Sequence, residues 1–172
     1  LDDAAHGFIA GRSILSNAKM HLNSAELLKC DIENFFPSIR IARVVAVFES
    51  FGYSPTVSVL LAKLCTFEGC LPQGAATSPQ VSNIIVRRMD MRLRLLSHSL
   101  GLRYTRYADD MTFSGSEISL SFSKLVKKIV NEEGFNLNPK KTRLIRGKRR
   151  KVVAGISVFG EAPMLPKRAK RE

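Results

Sequence analysis

Cysteine is scarce and unpatterned in this chain: Cys30, Cys65 and Cys70 are its only three, an odd number with no C-x-x-C pair. That excludes a disulfide framework and a cysteine zinc site, and it fits a reducing cytoplasm. No apolar run reaches the roughly 20 residues of a membrane span, and the opening Leu-Asp-Asp-Ala-Ala-His has none of the order of a secretory leader. An initiator methionine is lacking too, so the chain is expected to be a portion of a longer protein. Internal repeats, low-complexity tracts and long linkers are missing. One domain is therefore expected, and 172 residues, 45% of them hydrophobic, suffice for its core.

Acidic residues are the other shortage, 15 against 27 Lys and Arg, for a formal net charge of +12. Such a balance puts a polyanion, nucleic acid first, at the head of the partner classes and gives no reason to expect a membrane. The excess is local. Residues 138–172 carry twelve Lys or Arg against two Asp or Glu, and Arg146, Lys148, Arg149, Arg150 and Lys151 form a dense run. Gathered on one face, that run would hold a phosphate backbone; spread around a solvated turn, it would hold nothing.

Hydrophobic periodicity predicts helices near 13–22, 39–51, 55–66, 79–99 and 119–133, strands near 26–33, 142–146 and 151–158, and a hairpin near 103–114. Ser78-Pro79 reads as an N-cap followed by a first-turn proline, and Gly134 as a helix C-cap. Strands separated by helices, with one hairpin among them, point to an α/β or α+β sheet covered on one face by helices, and α+β is the class the hairpin favours.

Against the shortage of acids, one pair stands out. In "RYTRYADDMTFSG", residues 103–115, Asp109 and Asp110 interrupt a run of strand-forming residues at the expected turn of the hairpin. A turn with two exposed charges explains them without chemistry. Asp2-Asp3 is a comparable pair at a terminus, with no strand on either side. A second stretch, "LLKCDIENFFPSI", ends an apolar strand on Asp31. If the hairpin lies beside that strand, three carboxylates meet, and their repulsion is relieved by cations. Magnesium suits them, being a hard ion held by few carboxylates that keeps room for water and phosphates. Two such ions, roughly 3.5–4 Å apart, serve an in-line phosphoryl displacement.

Three blocks, "DIENFFPSI" at 31–39, "LPQGAATSPQVSN" at 71–83 and "YADD" at 107–110, stand in the order found in reverse transcriptases, and the sequence resembles that family. "AHGFIAGRSI" at 5–14, Asn17-Ala18-Lys19-Met20-His21 and "YTRYADDMTFSG" at 104–115 are similar to the bacterial retron type; group II intron enzymes share some of these blocks. The chain departs from the retron pattern at Ala154, where threonine is usual, and at Ala76, where proline is.

The resemblance implies a right-hand polymerase palm with part of the fingers, 1–172 as one unit, the first fingers block and the thumb lying outside it. It implies an RNA-directed DNA polymerase whose metal ligands are Asp31, Asp109, Asp110 and the Ile32 carbonyl, holding two magnesium ions, or manganese in their place. Phe36 would crowd the sugar 2′ position and favour deoxynucleotides, with Phe35 on the opposite side of the strand as a core residue. Gln73 and Gly74 would face the nucleotide, Lys141 the pyrophosphate, and Arg12 the triphosphate. "VVAGISVF" at 152–159 looks like the primer-grip hairpin, although core packing of Val152, Ile156 and Val158 explains it equally. Partners implied are template and primer RNA, product DNA, dNTPs, a retron noncoding RNA and an effector protein of antiphage defence, in a bacterial cytoplasm. A palm-fold binder without synthesis is the alternative from another class. An RNA-templated RNA polymerase fits less well, because Phe36 leaves little space for a 2′-hydroxyl and Ala108 stands where glycine is more usual. His6 and His21 read as structural.

Overall fold

The computed structural model describes residues 2–147 and 149–164. Its centre is a four-stranded antiparallel sheet in the order β2-β3-β1-β4, formed by β1 (Glu26–Asp31), β2 (Arg103–Tyr107), β3 (Asp110–Gly115) and β4 (Arg143–Ile145). β1 lies between β3 and β4, in a register that sets Leu28 opposite Phe113 and Asp31 opposite Asp110. Alternation along β1 divides the core. Leu28 and Cys30 join the main cluster with Met89, Leu93, Met111, Phe113, Phe122 and Val126, while Leu27 faces the other way.

Helices cover the first face. α3 (Ile41–Ser50) and α4 (Pro55–Cys65) form a hairpin, followed by α5 (Ser78–Ile85), α6 (Arg87–Ser99) and α7 (Leu120–Glu132). α7 buries Phe122, Val126 and Val130, one helical stripe, and Ser119 caps it by accepting the Phe122 N–H at 3.1 Å. Gly134, at φ 80, lets the Gly134 and Phe135 N–H groups turn back to the carbonyls of Asn131 and Val130, which closes the helix end as the sequence suggests.

Several details differ from the sequence reading. The expected helix over 79–99 is two helices that meet at Val86 (φ −88°, ψ 2°), where Ile84-Ile85-Val86 places three β-branched residues in succession. Ser78 is not the cap of α5. It lies inside the first turn, after Thr77, and its hydroxyl donates to the Pro72 carbonyl at 2.7 Å. Phe35 and Phe36 sit on a short helix α2 (Phe35–Ser38) instead of a strand, so Phe35 is buried by helical rotation toward Phe135 and not by strand alternation. The sheet's second face is covered as well: α1 (Ile14–Lys19) and the hairpin of β5 (Val152–Val153) and β6 (Ile156–Ser157) close over Leu27, with Ala18, Val153, Ile156 and Val158 buried there. Val153, not Val152, is the core residue of that hairpin, because Ala154 and Gly155, both at positive φ, make a two-residue turn that fixes its register. No helix among the described residues is long and apolar enough to cross a membrane.

His21 joins the second-face layer to the sheet. It is fully buried, its Nδ1 2.7 Å from the Ser114 hydroxyl and its Nε2 2.7 Å from that of Thr105. Burial, then the charge of Arg103, pushes its pKa down to about 3. The native protein therefore disfavours the imidazolium. The resulting stability is present above the unfolded value near 6.5 and is lost as pH falls toward 3. Between pH 6.5 and 5, urea unfolding is expected to show stability falling by up to about 1.4 kcal/mol per pH unit, and His21→Gln is expected to flatten that slope. An equal slope in the variant would assign it to other groups.

Candidate active site

The sheet ends at a cleft because its central strands stop together. β1 finishes on Asp31, β3 begins on Asp110, and Ala108 and Asp109 form the turn between β2 and β3. Asp110 is thus the first strand residue and not part of the turn. Beyond the strand, the Ile32 N–H donates to the Asp109 carbonyl at 3.0 Å, the Glu33 N–H to Asn136 at 2.8 Å and the Asn138 N–H to the Asp31 carbonyl at 2.8 Å. These bonds draw the 136–141 segment alongside Asp31. Lys141 Nζ lies 2.8 Å from Asp31 Oδ2.

Two cavities share this point. One, of about 400 Å³, is lined by Asp31, Ile32, Phe36, Gln73, Asp109 and Lys141, together with Glu33, Asn34 and Asn138. The other, of about 270 Å³, holds Asp110 among Lys29, Lys141, Arg143 and Arg150. Burial pushes the Asp109 carboxyl above the ordinary aspartate range; Asp31 and Asp110 push it further, while its own backbone N–H and Lys141 oppose the rise. The bond to Asp31 holds the Lys141 ammonium above its usual pKa.

The residues singled out in the sequence separate into groups. Asp31, Ile32, Phe36, Gln73, Asp109 and Lys141 line one cavity, and Asp110 lines its neighbour. Gly74, at φ 92, has open space where a Cβ would stand, so the backbone conformation itself calls for glycine. Arg12 is turned away from the cleft, donating to the Asp3 and Ala5 carbonyls and pairing with the Asp3 carboxylate. The basic run is not one stripe. Arg146 pairs with Glu26 at 3.0 Å, Lys151 is buried with its ammonium on the Gly147 carbonyl, Arg149 is exposed, Arg150 lines the smaller cavity, and Lys148 lies outside the described residues.

Sequence reasoning passed over Asn138, whose backbone ties Lys141's segment to Asp31, and Arg106, which is fully buried. Alternation was the available signal for Arg106: on β2 it shares a face with Tyr104, whose ring belongs to the core.

A family model described as "Reverse transcriptase (RNA-dependent DNA polymerase)" matches residues 1–158. The chain belongs to the reverse transcriptase family. Within it, the similar proteins are reverse transcriptases of bacterial retrons. The chain is 38% identical to the retron Ec86 reverse transcriptase of Escherichia coli over 90% of its own length and 49% of that protein's. With the retron Mx162 and Mx65 reverse transcriptases of Myxococcus xanthus it shares 38% and 39% identity, over 90% of the chain and 38% and 41% of those proteins. The chain thus spans half or less of the length of these relatives. The observed mixture of helices with an antiparallel sheet is that of a reverse transcriptase palm and fingers portion.

Reverse transcriptases use divalent metal ions, and the donors here suit one: Asp31 and Asp110 stand opposite each other in register with Asp109 adjacent, all hard carboxylate oxygens. Asp31 already pairs with a cation, the Lys141 ammonium. Among the described residues no three His, Cys, Asp or Glu side chains are gathered around one point. The chemistry of the donor set fits, with Lys141 as Asp31's present partner.

Proposed function

We propose that this chain is the palm, with part of the fingers, of an RNA-templated DNA polymerase in a bacterial retron. The observation that carries the reading is Asp31 opposite Asp110 at the open end of the sheet, with Asp109 in the adjoining turn and Lys141 paired with Asp31. Asp31, Asp109, Asp110 and the Ile32 carbonyl would hold two divalent ions, magnesium by donor type. Bound there, the ions supply Lewis-acid activation of the primer hydroxyl and stabilisation of the pyrophosphate.

The chain's own residues do the rest. Phe36 forms a wall of the larger cavity and shapes it toward a deoxyribose. Gln73, which also lines that cavity, offers an amide to the incoming nucleotide. Lys141 places a positive charge where the leaving group departs. Lys29, Arg143 and Arg150 give the neighbouring cavity a phosphate-attracting lining around Asp110. Arg12 acts through the segment it ties down and not on the triphosphate. By likeness to retron enzymes the template is a structured noncoding RNA, the product a branched DNA joined to it, the setting the bacterial cytoplasm, and the biological role antiphage defence with an effector protein.

The test is primer extension by the full-length protein on an RNA template with labelled dNTPs and Mg²⁺, beside Asp109→Asn/Asp110→Asn. Ion-dependent DNA synthesis that disappears in the variant is the expected result. A folded wild-type protein that binds RNA and makes no DNA, even on RNA that copurifies with it, would instead describe a palm-fold binder.

Phe36 gives a sharper expectation. Its ring is half-buried against Phe35, 5.3 Å between centroids, with the remainder facing the cavity. Phe36→Ala is expected to lower the preference for dNTP over rNTP by on the order of 10- to 100-fold, read as a ratio in one competition assay so that lost stability cancels. An unchanged ratio would leave Phe36 a core aromatic only.

A further inference from the structure

We propose that Asn83 and Gly7 are positioning residues for the catalytic turn, fixing Asp109 relative to the Gln73 side of the cleft; the proposal rests on the polymerase reading above. Ala108 occupies φ 55, a region a residue with a side chain keeps only when its surroundings hold it. Three contacts hold it. Arg106 Nη1 donates to the Ala108 carbonyl at 2.9 Å. The backbone at Gly7 presses on the turn so closely that an added Cβ would stand 2.6 Å from the Ala108 nitrogen. Asn83 joins the two: its Nδ2 donates to the Gly7 carbonyl at 3.0 Å and its Oδ1 accepts from Arg106 Nη2 at 2.9 Å. The amide orientation follows from its partners, since a guanidinium only donates and a carbonyl only accepts.

These groups are dry. Asn83 is 1% exposed and Arg106 0%, and neither Asn83 nor Gly7 lines the cleft. Asn83 belongs to α5, which is entered directly from the loop that carries Gln73 and is tied to it by the Ser78 hydroxyl on the Pro72 carbonyl, 2.7 Å. One continuous set of contacts therefore runs from the Gln73 loop through α5, Asn83 and Arg106 to Ala108. Asp109 is the next residue. Loosening that set should misplace the carboxylate while leaving the nucleotide's own contacts intact.

The experiment compares full-length wild type with Asn83→Ala and Gly7→Ala. Amide hydrogen exchange over 104–111 is measured without RNA or nucleotide, and single-nucleotide addition is measured separately. Expected are faster exchange confined to the turn, a kcat lower by about 10- to 100-fold, and a KM for dNTP within about 2-fold of wild type. The double variant is expected to be no slower than the worse single, because both act on one turn. Unchanged exchange at the turn, or a KM that rises in step with the loss of rate, overturns the proposal. If Asn83→Ala does not fold, Gly7→Ala decides by the same readings. An inactive wild type would remove the polymerase reading and leave the exchange data to decide the clamp.

Discussion

Asp110→Asn is expected to reduce deoxynucleotide addition by about 10³-fold or more while leaving the protein as stable as wild type or slightly more so. The two expectations come from the same register. Asp110 faces Asp31 directly across β1 and β3, and like charges opposite one another on a sheet are destabilising. Asparagine keeps the shape and removes the repulsion. It also removes one of the charges that push the Asp109 carboxyl upward, so that group should return toward the ordinary aspartate range. Addition rates on a primed RNA, thermal unfolding and carboxyl titration by NMR check the three parts. A variant that polymerises normally, or one whose lost activity tracks lost folding, would remove Asp110 from the chemistry.

The second large effect is on stability. Arg106→Met is expected to cost about 3–5 kcal/mol, on the order of 10 °C in Tm, because it strands Asp90 as a buried charge. Arg106 and Asp90 are 0% and 1% exposed, joined by Nη2 to Oδ2 at 2.7 Å and Nε to Oδ1 at 2.8 Å. Tyr104 also donates its hydroxyl to Asp90, at 2.8 Å, so the carboxylate keeps one hydrogen bond of the three. Arg106→Met/Asp90→Leu should be less destabilised than the sum of its singles, because removing both charges leaves neither unpaired. Urea unfolding of the four proteins measures this, and additive costs would mean that the pair is not coupled.

Why some features were legible in the sequence and others were not follows from the range of the forces involved. Asp31 at the end of an apolar run and Asp109-Asp110 between two strand-like segments are local patterns, and antiparallel pairing with buried faces leaves little choice of register. The cap at Gly134 is local as well, whereas the strand expected over 151–158 is broken by a turn at Ala154-Gly155. The break at Val86 was not legible, because Met89 and Leu93 continue the apolar stripe across it. Phe35 and Phe36 looked like strand residues by propensity, while the left-handed Asn34 before them starts a helical turn. Arg12 and Arg106 could not be matched to their partners locally, although alternation along β2 marks Arg106 as facing the core. One is engaged by backbone carbonyls of the Asp3–Ala5 segment and the other by a carboxylate on α6, and no spacing rule announces either partner.

The segment before α1 has an effect on the whole sheet. Ala4 and His6 exchange backbone hydrogen bonds with Arg106, each 2.8 Å, and Ala5 forms a parallel bridge to it, so that β2, the outer strand on that side, is sheathed at its catalytic end. An outer strand with free amides and carbonyls is a template for joining a second sheet. By occupying those groups, residues 4–6 act as a guard against strand exchange between neighbours, keeping the catalytic end of each sheet to itself.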